Sequence, residues 1–241
     1  MKSLFITATG TDVGKTVTSL AIAMWALHQK IKVAYYKPVQ CGSYAIDQSL
    51  VGGDGEWINY YSQGQIPIYN TYRFKNPVSP HLAAEKEQRS LKSDDLIQDY
   101  LKLKQEYELV IIEGAGGVMV PLNREGLTLS DVFKKEALET LLVSSPHLGT
   151  LNHTLLSHLY LRQNSHSTLG FLFSQNQPKA PSIYQDNIQT IKALTQLPFV
   201  GTIPWLKELE NSKPLKEKSS KIIYHGIAEA MNNWWKGGGL V

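Results

Sequence analysis

Short apolar runs alternate along the chain with longer stretches whose apolar residues recur every three or four positions, the pattern of βαβ units built on a parallel sheet. Strands are expected at residues 3–7, 32–36, 109–113, 140–144, 169–173 and 199–203. Between the first two, residues 15–29 carry Val17, Leu20, Ala21, Met24 and Leu27 at helical spacing, so one face can pack on the sheet. Weaker patterns of the same kind predict helices over 94–103, 151–161, 183–194 and 222–235. Residues 44–55, rich in Gly, Ser and Asp, read as a loop after the second strand. In open α/β sheets, loops at the carboxyl ends of strands hold ligands. The charged segment 207–221 reads as an exposed connection and 236–241 as a frayed tail. Trp234 and Trp235 read as core or subunit packing rather than as a base-stacking platform.

Composition narrows this picture. A chain of 241 residues, 42% hydrophobic and 19% charged, can bury one sizeable core, and a single domain over residues 1–241 is expected. The 24 Lys and Arg against 21 Asp and Glu leave a net charge of +3, dispersed along the chain, which argues against nucleic acid as a partner. A single cysteine, Cys41, excludes an internal disulfide and a cysteine-based zinc cluster, and fits a reducing, cytoplasmic setting. The opening MKSLFITATG lacks the long apolar region and cleavage site of a secretory signal. No apolar segment approaches the roughly 20 residues needed to cross a bilayer, so no membrane partner is expected.

The chemistry concentrates at three strand ends. After the first strand comes ATGTDVGKT (residues 8–16), a near match to a phosphate-binding loop whose first glycine is displaced: Thr9 stands where the usual spacing puts glycine, with Gly10 beside it. Gly14, Lys15 and Thr16 open the following helix, supplying backbone N–H groups, a positive helix end, an ammonium and a hydroxyl for Mg²⁺. That context makes the expected fold an α/β P-loop fold, with a mainly parallel sheet flanked by helices on both faces. In YYKPVQCGS (35–43), Lys37 ends the second strand and Pro38 stops a helix from starting there. Its ammonium can neutralise phosphate or carboxylate charge that develops in a transition state. In VIIEGAGGVMVPL (110–122), a buried strand ends on Glu113, and Gly114, Gly116 and Gly117 let the backbone approach a ligand closely. Thr16, Glu113 and Asp54 could supply the hard oxygens a divalent ion wants, although an Asp among glycines, as in GGDGE, is ordinarily a turn residue.

Together GTDVGKT, YKPVQCGS, EGAGGVMVPL, SPH at 79–81, LGTLNH at 148–153 and GTIPWL at 201–206 strongly resemble the dethiobiotin synthase family. The resemblance covers residues 5 to about 206 in order. It implies a homodimeric ligase that uses ATP, Mg²⁺ and CO₂ to convert 7,8-diaminononanoate to dethiobiotin through a carbamate and a carbamic–phosphoric mixed anhydride. Carried over by residue, Lys37 is then the lysine near the carbamate, Lys15 bridges phosphate and intermediate, and Thr11 lies close to the reacting diamine. Thr16, Asp54 and Glu113 attend Mg²⁺. Asp12, Val13, Gly14 and Val17 belong to the nucleotide loop, and Gly114, Ala115 and Gly116 continue that side. Ser174, Gln175, Asn176, Pro204, Trp205 and Leu206 fall to the nucleotide. Cys41 falls to the substrate, while Asn152 and Tyr184 receive its carboxylate across the dimer.

Three positions depart from the family pattern. Cys41 stands where relatives often have Ser or Thr, and a thiol is a weaker hydrogen-bond donor. Ser174, four residues after Gly170, stands where relatives often place an adenine-reading Asn, so relaxed nucleotide selectivity is expected. The third is the displaced glycine of the phosphate loop. Two other readings share the nucleotide site. A partition-type ATPase switch usually carries a further lysine near the loop start, absent from residues 8–11. The ATP domain of a glutamine-dependent amidase would need a glutaminase for which the chain has neither length nor motif.

Overall fold

The computed structural model describes residues 1–46, 49–210, 215 and 217–239. Its elements run β1 (Lys2–Ala8), α1 (Lys15–His28), β2 (Val33–Tyr36), β3 (Val39–Gln40), β4 (Tyr44–Ile46), β5 (Ser49–Val51), α2 (Asp54–Tyr61), β6 (Ile68–Tyr69), β7 (Tyr72–Arg73), α3 (Pro80–Lys86), α4 (Ser93–Glu106) and β8 (Leu109–Glu113). They continue as α5 (Leu129–Val132), β9 (Glu139–Ser144), α6 (Thr150–Gln163), β10 (Ser167–Ser174), α7 (Tyr184–Thr195), β11 (Phe199–Ile203), α8 (Lys207–Glu210), α9 (Glu217–His225) and α10 (Ala228–Trp235). Among the described residues, a seven-stranded sheet runs in the order β11-β10-β9-β1-β8-β2-β6, and every neighbouring pair is parallel. The α/β class and the parallel sheet expected from the sequence are borne out.

Alternation along the strands explains why helices cover both faces. Leu4, Ile6, Leu109, Ile111, Leu141 and Val143 point to one side, where they pack with Ala21, Trp25, Ile223, Met231 and Trp234 of α1, α9 and α10. Phe5, Val110 and Ile112 point to the other, against Leu96, Tyr100 and Leu103 of α4, while Leu142, Phe171 and Phe173 meet Ile188 and Ile191 of α7. Each such large side chain taken out of water contributes about 1.5–3 kcal/mol. Trp234 is wholly buried, with its indole N–H donated to Glu139 at 2.8 Å, and Trp235 packs edge-on to Trp25. The doublet belongs to the core.

Several expectations need correction. The helix expected over 222–235 is two helices broken at Gly226. A Cβ on Gly201 would lie 1.9 Å from the Gly226 carbonyl, and one on Gly226 would lie 2.3 Å from the Thr202 carbonyl. Backbone therefore lies against backbone at this point, and the helix yields to the sheet edge. Residues 44–55 are more than a loop: β4 and β5 pair antiparallel, and α2 starts at Asp54. Gly55 is needed within α2, since a Cβ there would lie 2.6 Å from Ile68 on the sheet's edge strand. Asp47 and Gln48 lie outside the described residues. The segment 207–221 is not simply exposed, because α8 and the start of α9 fall in it and Leu215 is buried; residues 211–214 and 216 lie outside the described part. Of the tail, Gly237 and Gly238 close the last helix with bonds to Trp234 and Asn233, and Leu240 and Val241 lie outside the described residues.

Candidate active site

Sheet order decides which side chains meet. Because β1 pairs with β8 and β8 with β2, the residues that follow these three strands emerge side by side. From β1 the chain turns through Asp12 and Gly14, both in left-handed conformation (φ 58° and 99°), and starts α1 at Lys15. Glycine is required at 14, since a Cβ there would lie 2.0 Å from the Ser174 hydroxyl. The Glu113 loop folds over this turn: Val118 N–H donates to the Ala8 carbonyl at 3.1 Å, and a Cβ on Gly117 would touch the Gly10 backbone at 3.4 Å.

At the junction sits a buried polar cluster. Glu113, with no solvent exposure, accepts hydrogen bonds from Thr16 Oγ1 at 2.9 Å and Ser19 Oγ at 2.8 Å, and pairs with Lys37 Nζ at 2.9 Å. Asp54 accepts from Thr16 Oγ1 at 3.1 Å and pairs with Lys37 through its second oxygen. Burial by itself would lower the Lys37 pKa, but the flanking carboxylates of Glu113 and Asp54 outweigh it and hold the ammonium above the ordinary lysine range. For Asp54, burial acts to raise the pKa, and Lys37, Thr16 and Lys15 override it, so the carboxylate stays ionised. Lys15 is different: burial brings its pKa down to about 8, against the opposing pull of Glu113, and its ammonium donates to the Gly10 carbonyl at 3.0 Å.

Three adjoining cavities open from this cluster, and Asp12 borders all of them. One of about 440 Å³ is lined by Thr11, Gly14, Lys15, Thr16, Val17, Lys37, Asp54, Glu113 and Gly116. A second, about 280 Å³, lies between Val13, Gly14 and Val17 on one side and Ser174, Gln175, Asn176, Pro204, Trp205 and Leu206 on the other. The third, about 490 Å³, lies beyond Lys37 and takes in Thr11, Cys41, Ala115 and Gly116. Burial pushes the Cys41 thiol up to about 11, against the opposing pull of Lys37, so it stays protonated at neutral pH.

Most of the residues singled out in the sequence are therefore gathered in one cleft. Four are not among its walls. Gly117 packs against the Gly10 backbone instead. Gly114 spends its N–H on the Ile6 carbonyl at 2.9 Å, beneath the cavity floor. Asn152 is exposed on α6, as are Leu156 and Leu159, and Leu148 is exposed in the turn before it. Tyr184 bonds to Thr202 and packs on Phe173. Sequence reasoning missed Ser19, one helical turn beyond Thr16, along with Trp57, which lines the first cavity, and Gln40, which lies inside the YYKPVQCGS stretch. The three-residue spacing from Thr16 to Ser19 was a usable signal.

The cluster suits a cation that arrives with phosphate rather than a free-standing metal centre. Among the described residues, no group of three or more His, Cys, Asp or Glu side chains could hold a metal ion. Two carboxylates and a hydroxyl converge instead, with Lys37 as their present countercharge. Mg²⁺ is commonly bound by one or two carboxylates, with water and substrate phosphates completing its octahedron, and this donor set fits that pattern.

Comparison with known proteins gives the family and the fold. Residues 2–213 match the family described as an AAA domain. The ATP-dependent dethiobiotin synthetase BioD of Halalkalibacterium halodurans is 33% identical over 210 residues, covering 87% of each chain. That of Lysinibacillus sphaericus is 36% identical over 222 residues, covering 88% of this chain and 90% of its own. Among solved structures, a ParA family ATPase from Chlorobium tepidum superposes with a TM-score of 0.62 over 97% of this chain and 98% of its own, at 12% identity, a likeness of fold alone.

Proposed function

The chain belongs to the ATP-dependent dethiobiotin synthetase family, and from that premise we propose that it carboxylates 7,8-diaminononanoate and closes the cyclic urea of dethiobiotin, with ATP consumed. The observation that carries this reading is the meeting of Lys15, Lys37, Thr16, Asp54 and Glu113 on the walls of the first cavity, with Lys37 and Asp54 also lining the third, where Cys41 lies. In the proposed sequence, one amine adds to CO₂ and loses a proton, leaving a carbamate. A carbamate oxygen attacks the γ-phosphorus of ATP, ADP departs, and a carbamic–phosphoric anhydride forms. The second amine then attacks the carbamoyl carbon and gives up a proton, and phosphate leaves with the C–O bond pair as the ring closes.

Two anions must approach each other in the middle step, so the site has to cover negative charge from both sides. Lys37, on the wall shared by the first and third cavities, faces the carbamate in this scheme, and Lys15 at the helix start faces the phosphates. Thr11 lies on that same shared wall, beside the diamine. Mg²⁺, held by Thr16, Asp54 and Glu113, would offset charge on the phosphate oxygens. In this scheme the base takes the second cavity, whose lining includes Trp205, Pro204, Gln175 and Asn176. Ser174 lines the same cavity, so close to Gly14 that a Cβ there would lie 2.0 Å from its hydroxyl.

A second copy of the chain completes the reading. Asn152, Leu156 and Leu159 lie at helical spacing on the exposed side of α6, exposed Leu148 precedes the helix, and these exposed apolar residues support a homodimer in which Asn152 and Tyr184 serve the partner's substrate. No helix among the described residues is long and apolar enough to cross a membrane, and the one free thiol supports a reducing cytoplasmic setting.

The deciding assay combines the protein with ATP, Mg²⁺, bicarbonate and 7,8-diaminononanoate and looks for dethiobiotin by mass. Absence of product, with ATP hydrolysis indifferent to the diamine, would sink the assignment. Running the same assay with GTP and CTP tests the relaxed selectivity expected from Ser174, and strict dependence on ATP would refute that part alone.

A further inference from the structure

We propose that Gln40 is a positioning residue that sets Asp54 for the divalent cation carried with the nucleotide, an inference that rests on the metal assignment above. Asp54 is the first residue of α2, and the first N–H groups of a helix have no partner within it. Gly53 before it carries no side chain to cap them, and Gln40 does so from another part of the chain. The Gln40 amide oxygen accepts the Asp54 N–H at 3.1 Å, while its amide nitrogen donates to the Cys41 carbonyl at 2.7 Å.

That amide is buried and held on a third side by Gly53, where a Cβ would come within 2.3 Å of Gln40 Nε2. Both ends of the side chain are thereby committed. One holds the strand segment that follows Lys37, and the other holds the helix that brings Asp54 between Thr16 and Lys37. The approach to α2 runs through Gly52 and Gly53, at φ 92° and 85°, so the incoming chain does not fix the helix start by side-chain packing of its own. Outer partners that orient ligating carboxylates typically change metal affinity by about 10–100-fold when removed.

Gln40→Met keeps the length and bulk of the side chain and removes both hydrogen bonds. The measurement is calorimetric titration with ADP, first in EDTA and then in excess Mg²⁺, the ratio of the two affinities giving the metal-dependent increment. Affinity in EDTA is expected within about 2-fold of native, with the increment at least ~10-fold smaller. Gln40→Asn, one methylene too short to reach both partners, is expected to lose the increment in the same direction, and it serves where the Met variant does not fold. A native increment in either folded variant overturns the proposal, as does an equal loss of affinity with and without metal, which would mean general loosening of the pocket. If the native protein itself binds ADP no better with Mg²⁺, the metal assignment fails and this inference with it. A normal native increment that the variants retain refutes the role of Gln40 alone.

Discussion

Removing the ammonium at Lys37 separates its structural work from its chemical work. Lys37→Met retains most of the aliphatic stem and deletes the charge that lies 2.9 Å from Glu113 and also pairs with Asp54. At an effective dielectric near 20, one pair at that distance attracts by about 6 kcal/mol, but burying the three groups consumes much of it. Breaking a buried pair by removing one partner costs about 3–5 kcal/mol. The lower end applies here, because the Asp54 side chain keeps 32% exposure and Glu113 keeps its two hydroxyl donors, Thr16 and Ser19. A loss of about 3 kcal/mol in a chain of this length lowers Tm by about 6–12 °C. Saturating Mg²⁺ and ADP should recover part of the shift, since the two carboxylates regain a countercharge. Turnover to dethiobiotin should fall by at least ~10²-fold while ADP binding stays measurable, the loss expected of a stabiliser of developing charge. Near-normal turnover would refute the catalytic role, and an unchanged Tm in the ligand-free protein would refute the buried ion-pair account.

Lys15 makes nucleotide binding a proton-linked event. Burial lowers its pKa to about 8, so between about pH 8 and 10.5 the unfolded chain holds more protons than the folded one, and this residue's contribution to stability rises with pH across that window. A bound phosphate reverses the preference, so ADP binding at pH 8–9 should take up protons, read by calorimetry in buffers of different ionisation enthalpy; binding without uptake would contradict it. Cys41→Ser should keep turnover within an order of magnitude, because the thiol is protonated at neutral pH and no step of the proposed reaction uses it. Complete loss of activity would overturn that view.

What was legible in the sequence was what short stretches of chain decide. The strands at 109–113 and 199–203 agree with the structure to the residue, because the first is a continuous apolar run ending on a charge and the second is bounded by Pro198 and Pro204. Lys15, Thr16, Lys37 and Glu113 were legible for the same reason, each marking the end of a strand or the start of a helix in an order that the parallel sheet turns into proximity. The break at Gly226 was not, since the apolar period continues across it and only contact with the β11 backbone forbids a straight helix. Residues 207–221 misled in the opposite direction: the composition is charged, yet Leu215 finds the core beside α1.

Asp54 shows where the boundary lies. Its place in the cleft depends on a pair to Lys37, seventeen residues earlier, and on a cap from Gln40, fourteen residues earlier, and neither separation matches a local period. From the residues alone Asp54 reads as a possible oxygen ligand or as a turn aspartate, only the family resemblance favours the first, and Gln40 carries no separate signal at all. The physical reason is that a strand-end residue is placed by the sheet, whereas Asp54 is placed by hydrogen bonds that exist only once β2, β3 and α2 have come together. Of the cation ligands proposed for this cleft, Asp54 is therefore the one whose position depends most on residues outside its own element. Glu113, fixed by a strand paired on both sides, sits at the other extreme.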